Sequence, residues 1–316
     1  MAQFAKLIVN PVAGTDAAPD HLPTMNERLR QAFDSVDIAI TTGPGDATRI
    51  ASEAAADGYR QIFVAGGDGT VNEVLNGVAR VPGGLQAVTF GVIPLGTGND
   101  FATALGIPHD VEQAIHTLID GTPAPVDLGS LNDVYFVNVS AGGFIAEVSD
   151  AVSPRMKTVA GKLAYLIGGA QVMFDYEPLQ ARVLIRTAAD VPDGTQLDLS
   201  LHTFAICNSP MVGGGRLIAP RAQLDDGWVD VCLIRAMSTL DFLRLLTRVS
   251  DGEHVHDERV MYFRARELDI DFDRPVAVNT DGQVLETSHC RYRLLHHAVR
   301  FLAPTRHASD SLTRSS

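Results

Sequence analysis

The sequence predicts an α/β domain built on a parallel sheet, followed by an all-β domain of two antiparallel layers. Residues 4–120 alternate short, nearly continuous apolar runs with helical patterns, as strands covered on both faces require. From about residue 126 the pattern becomes period-two alternation, punctuated by turn signals such as "PDGT" and "DDGW". In the first part, four apolar runs each empty into a loop rich in Gly, Thr, Asn and Asp. The boundaries read 1–125 for the α/β domain and 126–300 for the β-sandwich. The segment 296–303 is expected to pack back on the first domain, and the polar tail 304–316 to be disordered.

Strand candidates in the first domain are "AKLIV" (5–9), "DIAIT" (37–41), "QIFVA" (61–65) and "TFGVI" (89–93). Between them, Thr24 with Glu27 reads as a capping box ahead of Leu29 and Phe33. Val71, Val74, Leu75 and Val78 follow the i, i+3, i+4, i+7 rule of a buried helix face. Asp110 with Gln113 caps a further helix whose stripe is Val111, Ala114, Ile115 and Leu118. In the second domain "ARVLIR" sets Ala181, Val183 and Ile185 against Arg182 and Arg186, and "VDVCL" sets Val229, Val231 and Leu233 against Asp230 and Cys232. Both read as strands with one face buried. Helices are expected near 156–174 and 238–249.

In an open parallel sheet, ligands bind beyond the carboxyl ends of the strands. The loops there are "NPVAG" (10–14), "TGPGDA" (42–47), "GGDGT" (66–70) and "PLGTGND" (94–100). Their glycines allow close backbone approach, their hydroxyls and amides donate, and the helix after Thr70 offers a positive N-terminus. That is the inventory for holding a polyphosphate. A plain strand-to-helix turn is the competing reading of GGDGT; the four loops together favour phosphate. Neither GxGxxG nor GxxxxGK(S/T) occurs, so dinucleotide and Walker-type sites lack support.

A formal net charge of −13 argues against non-specific nucleic-acid binding. The odd number of cysteines, Cys207, Cys232 and Cys290, forms no CxxC pair, which points to a reducing cytoplasm. The start "MAQFAKLIVNPVAG" is too short in apolar residues for a signal peptide. The segment 158–174 carries Lys162 and Gln171 and reads as a buried or interfacial helix, not a span.

"GGDGTVNEV" followed by "GVIPLGTGNDFATALGIP" (91–108) resembles the diacylglycerol kinase catalytic-domain family, in particular its soluble bacterial lipid kinases, with sphingosine and ceramide kinases as relatives. The resemblance extends through "VNPVAG", "VNVSAGGF" (137–144), "GGGRLIAPRAQLDDGWVDV" (213–231) and "VNTDGQ" (278–283). GGDGT is shared with NAD kinases and phosphofructokinases, whereas the PLGTGNDFA and AxLDDGxxD blocks are particular to the lipid kinases.

The resemblance implies a Rossmann-like ATP-binding domain and a β-sandwich lipid domain with the site in the cleft between them. It implies an ATP site at Asn10, Thr41, Gly66, Gly67, Asp68, Gly69, Thr70, Asn72, Glu73 and Thr97. A side chain at Gly67 would then intrude on the ligand, and Asp68 would help organise Mg²⁺. It further implies a structural Mg²⁺ held by Asp226 and the carbonyls of Gln223 and Trp228, an all-oxygen set suited to that ion. Composition alone would make "LDDGW" a polar β-turn. The family's late motif is usually Asp-Gly-Glu and is proposed to supply the base for the lipid hydroxyl. Here it is Asp281-Gly282-Gln283, and Gln283 accepts no proton at any useful pH: either Asp281 does that work, or transfer proceeds with little base help, or activity is lost.

The reaction so implied is Mg²⁺-dependent transfer of the ATP γ-phosphate to a lipid hydroxyl, first of all diacylglycerol. Sphingosine, ceramide, phosphatidylglycerol or NAD are other acceptors, and a nucleotide- or lipid-binding regulatory protein is the alternative class. The protein would be cytoplasmic and peripheral to a membrane, with a homodimer compatible with the sequence. Arg155, Lys157 and Lys162 are the tight basic group beside an apolar segment and the candidate membrane edge. His254 and His256 would share one side of a strand as a conceivable metal pair without an evident third ligand. Trp228 and Phe174 read as core.

Overall fold

The computed structural model describes residues 4–14, 18–144 and 176–305. The expected helix at 156–174, the basic group Arg155, Lys157 and Lys162, and Phe174 lie outside the described residues. Among the described residues, no helix is long and apolar enough to cross a membrane. The chain divides into two compact units, one of residues 1–126 with 297–316 and one of residues 127–296.

The first unit runs β1 (Phe4–Val9), α1 (Ala18–Ala32), β2 (Ser35–Ile40), α2 (Asp46–Ala56), β3 (Gln61–Gly66), α3 (Asp68–Ala79), α4 (Gly84–Ala87), β4 (Thr89–Pro94), α5 (Asp100–Leu105) and α6 (Val111–Asp120). β1 pairs in parallel with β2 on one side and β3 on the other, and β3 pairs with β4. The order is therefore β2-β1-β3-β4, with the chain reversing its direction of travel at β1. Right-handed crossovers then place α1 on one face and α2 and α3 on the other. The contacts agree: α2 packs on α3, and α6 packs on α1 and β4. The Val71, Val74, Leu75 and Val78 stripe is buried, as are Ala114, Ile115 and Leu118. Asp110 caps α6 by accepting from the Gln113 amide at 3.0 Å.

The expected capping box at Thr24 is not formed. α1 begins at Ala18 and carries Pro23 and Thr24 inside it. Met25 and Leu29 are fully buried, so core packing carries the helix through a position where local chemistry favours a start.

The second unit contains the end of β5 (Thr122–Leu131), then β6 (Val134–Phe136), β7 (Val139–Gly143), β8 (Leu179–Ala188), β9 (Thr195–Cys207), β10 (Val229–Arg235), α7 (Thr239–Val249), β11 (Val260–Thr280) and most of β12 (Gln283–Ala303). β9 pairs antiparallel with β8, β7 and β10, and β11 pairs with β10, β8, β7 and β12. These two long strands close the two layers on each other. Val183, Ile185, Phe204, Val231 and Leu268 fill the space between them. A second apolar layer, with Cys207, Cys232 and Ile234 under Phe242, Leu245 and Ala219, covers the outer side of β9 and β10.

That second layer overturns the one-sided reading of "VDVCL". Asp230 and Cys232 are buried along with Val229, Val231 and Leu233, because α7 and residues 218–222 cover the face expected to meet water. The "HVH" segment also differs: Glu253–His256 is a 3-10 turn, with His254 buried and His256 exposed, so the two rings do not share a strand face. The last residues of β12 belong to the first unit, where Arg300 and Phe301 pair in parallel with Thr89 and Phe90 of β4.

Helices α2 and α3 touch through Gly77, where an added Cβ would sit 2.3 Å from the Thr48 carbonyl oxygen. Gly77→Ala gains up to about 1 kcal/mol of helix propensity. Forcing apart two packed backbones costs about 1–3 kcal/mol, so the clash wins. Urea denaturation of Gly77→Ala should show a net loss of stability; an equal or higher midpoint would refute this packing.

Candidate functional site

The loops at the carboxyl ends of the first sheet are locked to one another. Asn10 Nδ2 donates to Thr70 Oγ1 at 3.0 Å, its backbone N–H donates to Ala65, and its Oδ1 accepts from the Val12 amide at 3.2 Å. The loop after β1 is thereby tied to the first turn of α3. Gly67 and Gly96 meet backbone to backbone: a Cβ on Gly67 would lie 3.1 Å from the Gly96 Cα, and one on Gly96 only 2.5 Å from the Gly67 Cα. Gly14, at φ +69°, lies under Leu95, whose carbonyl oxygen would be 2.1 Å from an added Cβ. Asp68 accepts from the Asp100 and Phe101 amides at 3.1 and 3.0 Å and so caps α5. A side chain at Gly67 would strike the neighbouring loop, and Asp68 carries a structural role whether or not a cation is near.

Beside these loops lies a cavity of about 260 Å³. Its walls are Asn10, Pro11 and Val12 after β1, the run Thr41–Pro44 after β2, Ala47 of α2, and Thr70 and Glu73 of α3. It stands where the strand order reverses at β1, the place where open α/β sheets bind their ligands. Of the ten residues expected at an ATP site, Asn10, Thr41, Thr70 and Glu73 line this cavity. Gly66, Gly67, Asp68 and Gly69 form the adjoining turn, with Gly67 as the N-cap of α3. Asn72 is fully buried and accepts from Asn76 Nδ2, and Thr97 is exposed on the loop after β4. Thr42, Pro44 and Ala47 were not singled out from sequence, although their loop was. Thr42 bonds Asp46 through both amide and hydroxyl, and these contacts, the hydroxyl's first, hold the Asp46 carboxyl below its ordinary range.

In the second unit the "LDDGW" turn is built around Gly227, at φ +79°. Asp226 Oδ1 accepts from the Trp228 amide at 3.0 Å, and the Gly227 amide donates to Asp127 Oδ2 at 2.7 Å. The Gly227 carbonyl accepts from Arg266 Nε at 2.9 Å, and the guanidinium lies 4.4 Å from the centre of the half-buried Trp228 ring. Asp127 is fully buried, and its Oδ1 is 2.9 Å from His296 Nδ1. Burial pushes the Asp226 carboxyl up from its ordinary value. Gln223 is exposed at the start of the turn. Burial also pushes Asp230 up to about 6; Tyr262 pulls the other way and the charge of Asp226 adds to the rise. Among the described residues, neither Asp230 oxygen has a hydrogen-bond partner. An orphaned, buried carboxylate beside Asp226 is chemistry that a hard cation would satisfy, so these residues fit Mg²⁺.

Asp281 and Gly282 are the two central residues of the β11–β12 hairpin, with φ of 47° and 92° and Thr280 paired to Gln283. Positive φ at both positions is the type I′ turn that an Asp-Gly pair favours. The Asp281 carboxylate is buried and accepts from the Val137, Asn138 and Val139 amides at 2.7, 3.1 and 2.8 Å. Gln283 is half-buried as the first residue of β12. The motif read for its chemistry is thus also the clamp that fixes the hairpin tip to the start of β7.

Comparison with known proteins finds two families along the chain. The diacylglycerol kinase catalytic domain matches residues 5–131, and the YegS C-terminal NAD kinase beta sandwich-like domain matches residues 138–303. A diacylglycerol kinase of Bacillus subtilis (strain 168) is 34% identical over 88% of this chain and 89% of its own. One from Staphylococcus carnosus (strain TM300) is 34% identical over 90% of this chain and 89% of its own. A crystal structure described as a diacylglycerol kinase from Bacillus anthracis str. Sterne superposes with a TM-score of 0.76 at 26% identity, covering 96% of this chain and 98% of that one.

Asp281→Asn replaces one acceptor oxygen by an NH₂ group that faces a backbone donor. Leaving a buried amide unmatched costs about 1–3 kcal/mol. A loss of that size in urea denaturation is expected, and unchanged stability would remove the clamp.

Proposed function

Because this chain belongs to the diacylglycerol kinase catalytic-domain family, we propose that it transfers the γ-phosphoryl group of ATP to a lipid hydroxyl, with diacylglycerol as acceptor and phosphatidate as product. The observation that carries this reading is the cavity at the β1 reversal, with Asn10, Thr41, Thr70 and Glu73 on its wall and the GGDGT turn beside it. At about 260 Å³ it is smaller than the roughly 300–1,000 Å³ typical of pockets that enclose a whole drug-sized ligand. Part of the nucleotide fills it, and the phosphates extend over the glycine loops toward the N-terminus of α3.

In the reaction the acceptor oxygen attacks the γ-phosphorus, the bond from that phosphorus to the bridging oxygen of ADP breaks, and the hydroxyl proton passes to a carboxylate. We assign that carboxylate to Asp281, held in place by its three amide donors. Magnesium on the nucleotide would neutralise charge on the β- and γ-phosphoryl oxygens. A second, structural magnesium would be held by Asp226 with the carbonyls of Gln223 and Trp228. Phosphoryl transfer depends chiefly on positioning and charge stabilisation, so Gln283 in place of an acidic residue is compatible with turnover. The lipid acceptor makes the protein peripheral to a membrane. Gln283 and the engaged carboxylate of Asp281 favour one second reading, a binding protein that holds nucleotide without turnover.

Radiolabelled ATP incubated with the protein, Mg²⁺ and a lipid extract should yield a labelled phospholipid that co-migrates with phosphatidate. ATP binding without labelled lipid would leave the binding reading in place. Gly43 tests the cavity without disturbing the fold, since a Cβ there meets nothing within 4 Å. Gly43→Trp should weaken ATP by roughly tenfold or more, about 1.4 kcal/mol, while the melting temperature holds. Unchanged affinity would move the nucleotide elsewhere. Mg²⁺ should raise the melting temperature of the native chain, and Asp226→Ala should remove the increment.

A further inference from the structure

Asp230 is a charged residue in an otherwise apolar buried row of β10. Along β10 it shares a face with Cys232 and Ile234, and across the ladders it pairs with Cys207 of β9 and Arg264 of β11. Residues on paired positions point to the same side of a sheet. Above that side lie Ala219 and Ala222, and the chain runs from them directly into the Asp226 turn. Asp230 is fully buried, and among the described residues neither of its oxygens finds a hydrogen-bond partner. Tyr262 is close enough to favour the ionised form without reaching hydrogen-bond geometry.

Two cations are near. The Arg221 guanidinium is stacked 4.4 Å from the centre of the Tyr262 ring, and Arg264 is paired with Asp190 at 3.4 Å. Neither forms an ion pair with Asp230 among the described residues. A buried carboxylate without partners is destabilising unless something else neutralises it. The acid nearest along the chain is Asp226, four residues before Asp230, and its charge opposes that of Asp230.

We propose that Asp230 is a second carboxylate of the divalent-cation site at the Asp226 turn, facing the ion directly or through one of its waters. This rests on the reading of that turn as a cation site, and it assigns the site a residue outside the set of Asp226 and two carbonyls. A single carboxylate leaves half of a divalent charge unmatched, and added ligand charge is a main determinant of cation affinity. The ion in turn removes the penalty of the buried Asp230. Cation binding and stability of the second unit are therefore coupled through one side chain.

Trp228 makes the test direct, because it is the chain's single tryptophan and sits in the turn itself. Terbium(III), which takes the same oxygen ligands as hard divalent ions, should luminesce on excitation of Trp228. In the full-length protein, Asp230→Asn should weaken terbium binding by roughly 10–100-fold, as losing a supporting partner of a metal site does. Without cation the same variant should melt at or above the native temperature, since an unmatched buried charge is gone, and its gain on adding Mg²⁺ should shrink. Asp230→Thr, which keeps a polar, β-branched residue in the strand, serves the same comparison if the amide variant does not fold. Equal terbium affinity and equal Mg²⁺ increments in native and variant proteins would overturn the proposal while leaving the turn as a cation site. Absence of both signals in the native protein, with Asp226→Ala no different, would remove the cation site and the proposal together.

Discussion

Gly67 against Gly96 is the contact on which the candidate nucleotide site depends. Two backbones approach where no side chain fits, and that approach brings the loop after β3 against the loop after β4. Asp68 then holds the same junction electrostatically by capping α5 from the turn that opens α3. Asn10 extends it to the loop after β1 through the Thr70 hydroxyl. The cavity wall inherits its rigidity from these bonds, since Thr70 and Asn10 both line it. A site for a flexible, highly charged ligand gains from this arrangement because little of its own structure has to be ordered on binding.

Three of the four aspartates buried among the described residues of the second unit stand in three different states, the fourth, Asp269, being ion-paired with Arg186. Asp281 is matched by three backbone amides, and Asp127 by one amide and a histidine ring. Asp230 has no hydrogen-bond partner among the described residues. The first two behave as structural fasteners whose loss strands a donor. The third differs from both, with Arg221 and Arg264 near it but no ion pair to either among the described residues. Burial alone does not separate these roles, as all three are nearly or fully inaccessible. The bonding inventory does.

Much of this was legible in the residues. The strands of the first sheet, the buried stripes of α3 and α6 and the Asp110 cap follow from periodicity and local chemistry, and the ligand loops follow from composition. The errors have specific causes. Thr24 carries a start signal that core packing of Met25 and Leu29 overrides. Asp230 was read as outward-facing because alternation presumes one wet face, and nothing local announces that α7 covers the other. The Asp-Gly pair at 281–282 is among the clearest hairpin signals a sequence can hold, yet its chemistry drew attention away from its geometry. The Gly67–Gly96 contact joins residues far apart in sequence, and only the folded chain can reveal it.

The position of β12 bears on how the protein is made. Arg300 and Phe301 extend the sheet that begins at Phe4, and Phe301 stacks on Phe90 with ring centres 5.1 Å apart and meets Phe101 edge-to-face at 4.6 Å. A ribosome delivers β4 long before it delivers the strand that lies beside it. Through the synthesis of the entire sandwich, one edge of the parallel sheet and two phenylalanines wait without their neighbour. An open edge beside exposed aromatic surface invites wrong partners during that interval. Pairings this distant in sequence also slow folding, since the intervening loop must close before the contact forms. Nascent chains stalled before residue 299 should accordingly hold the first unit incomplete, and the last strand acts as the latch that closes it.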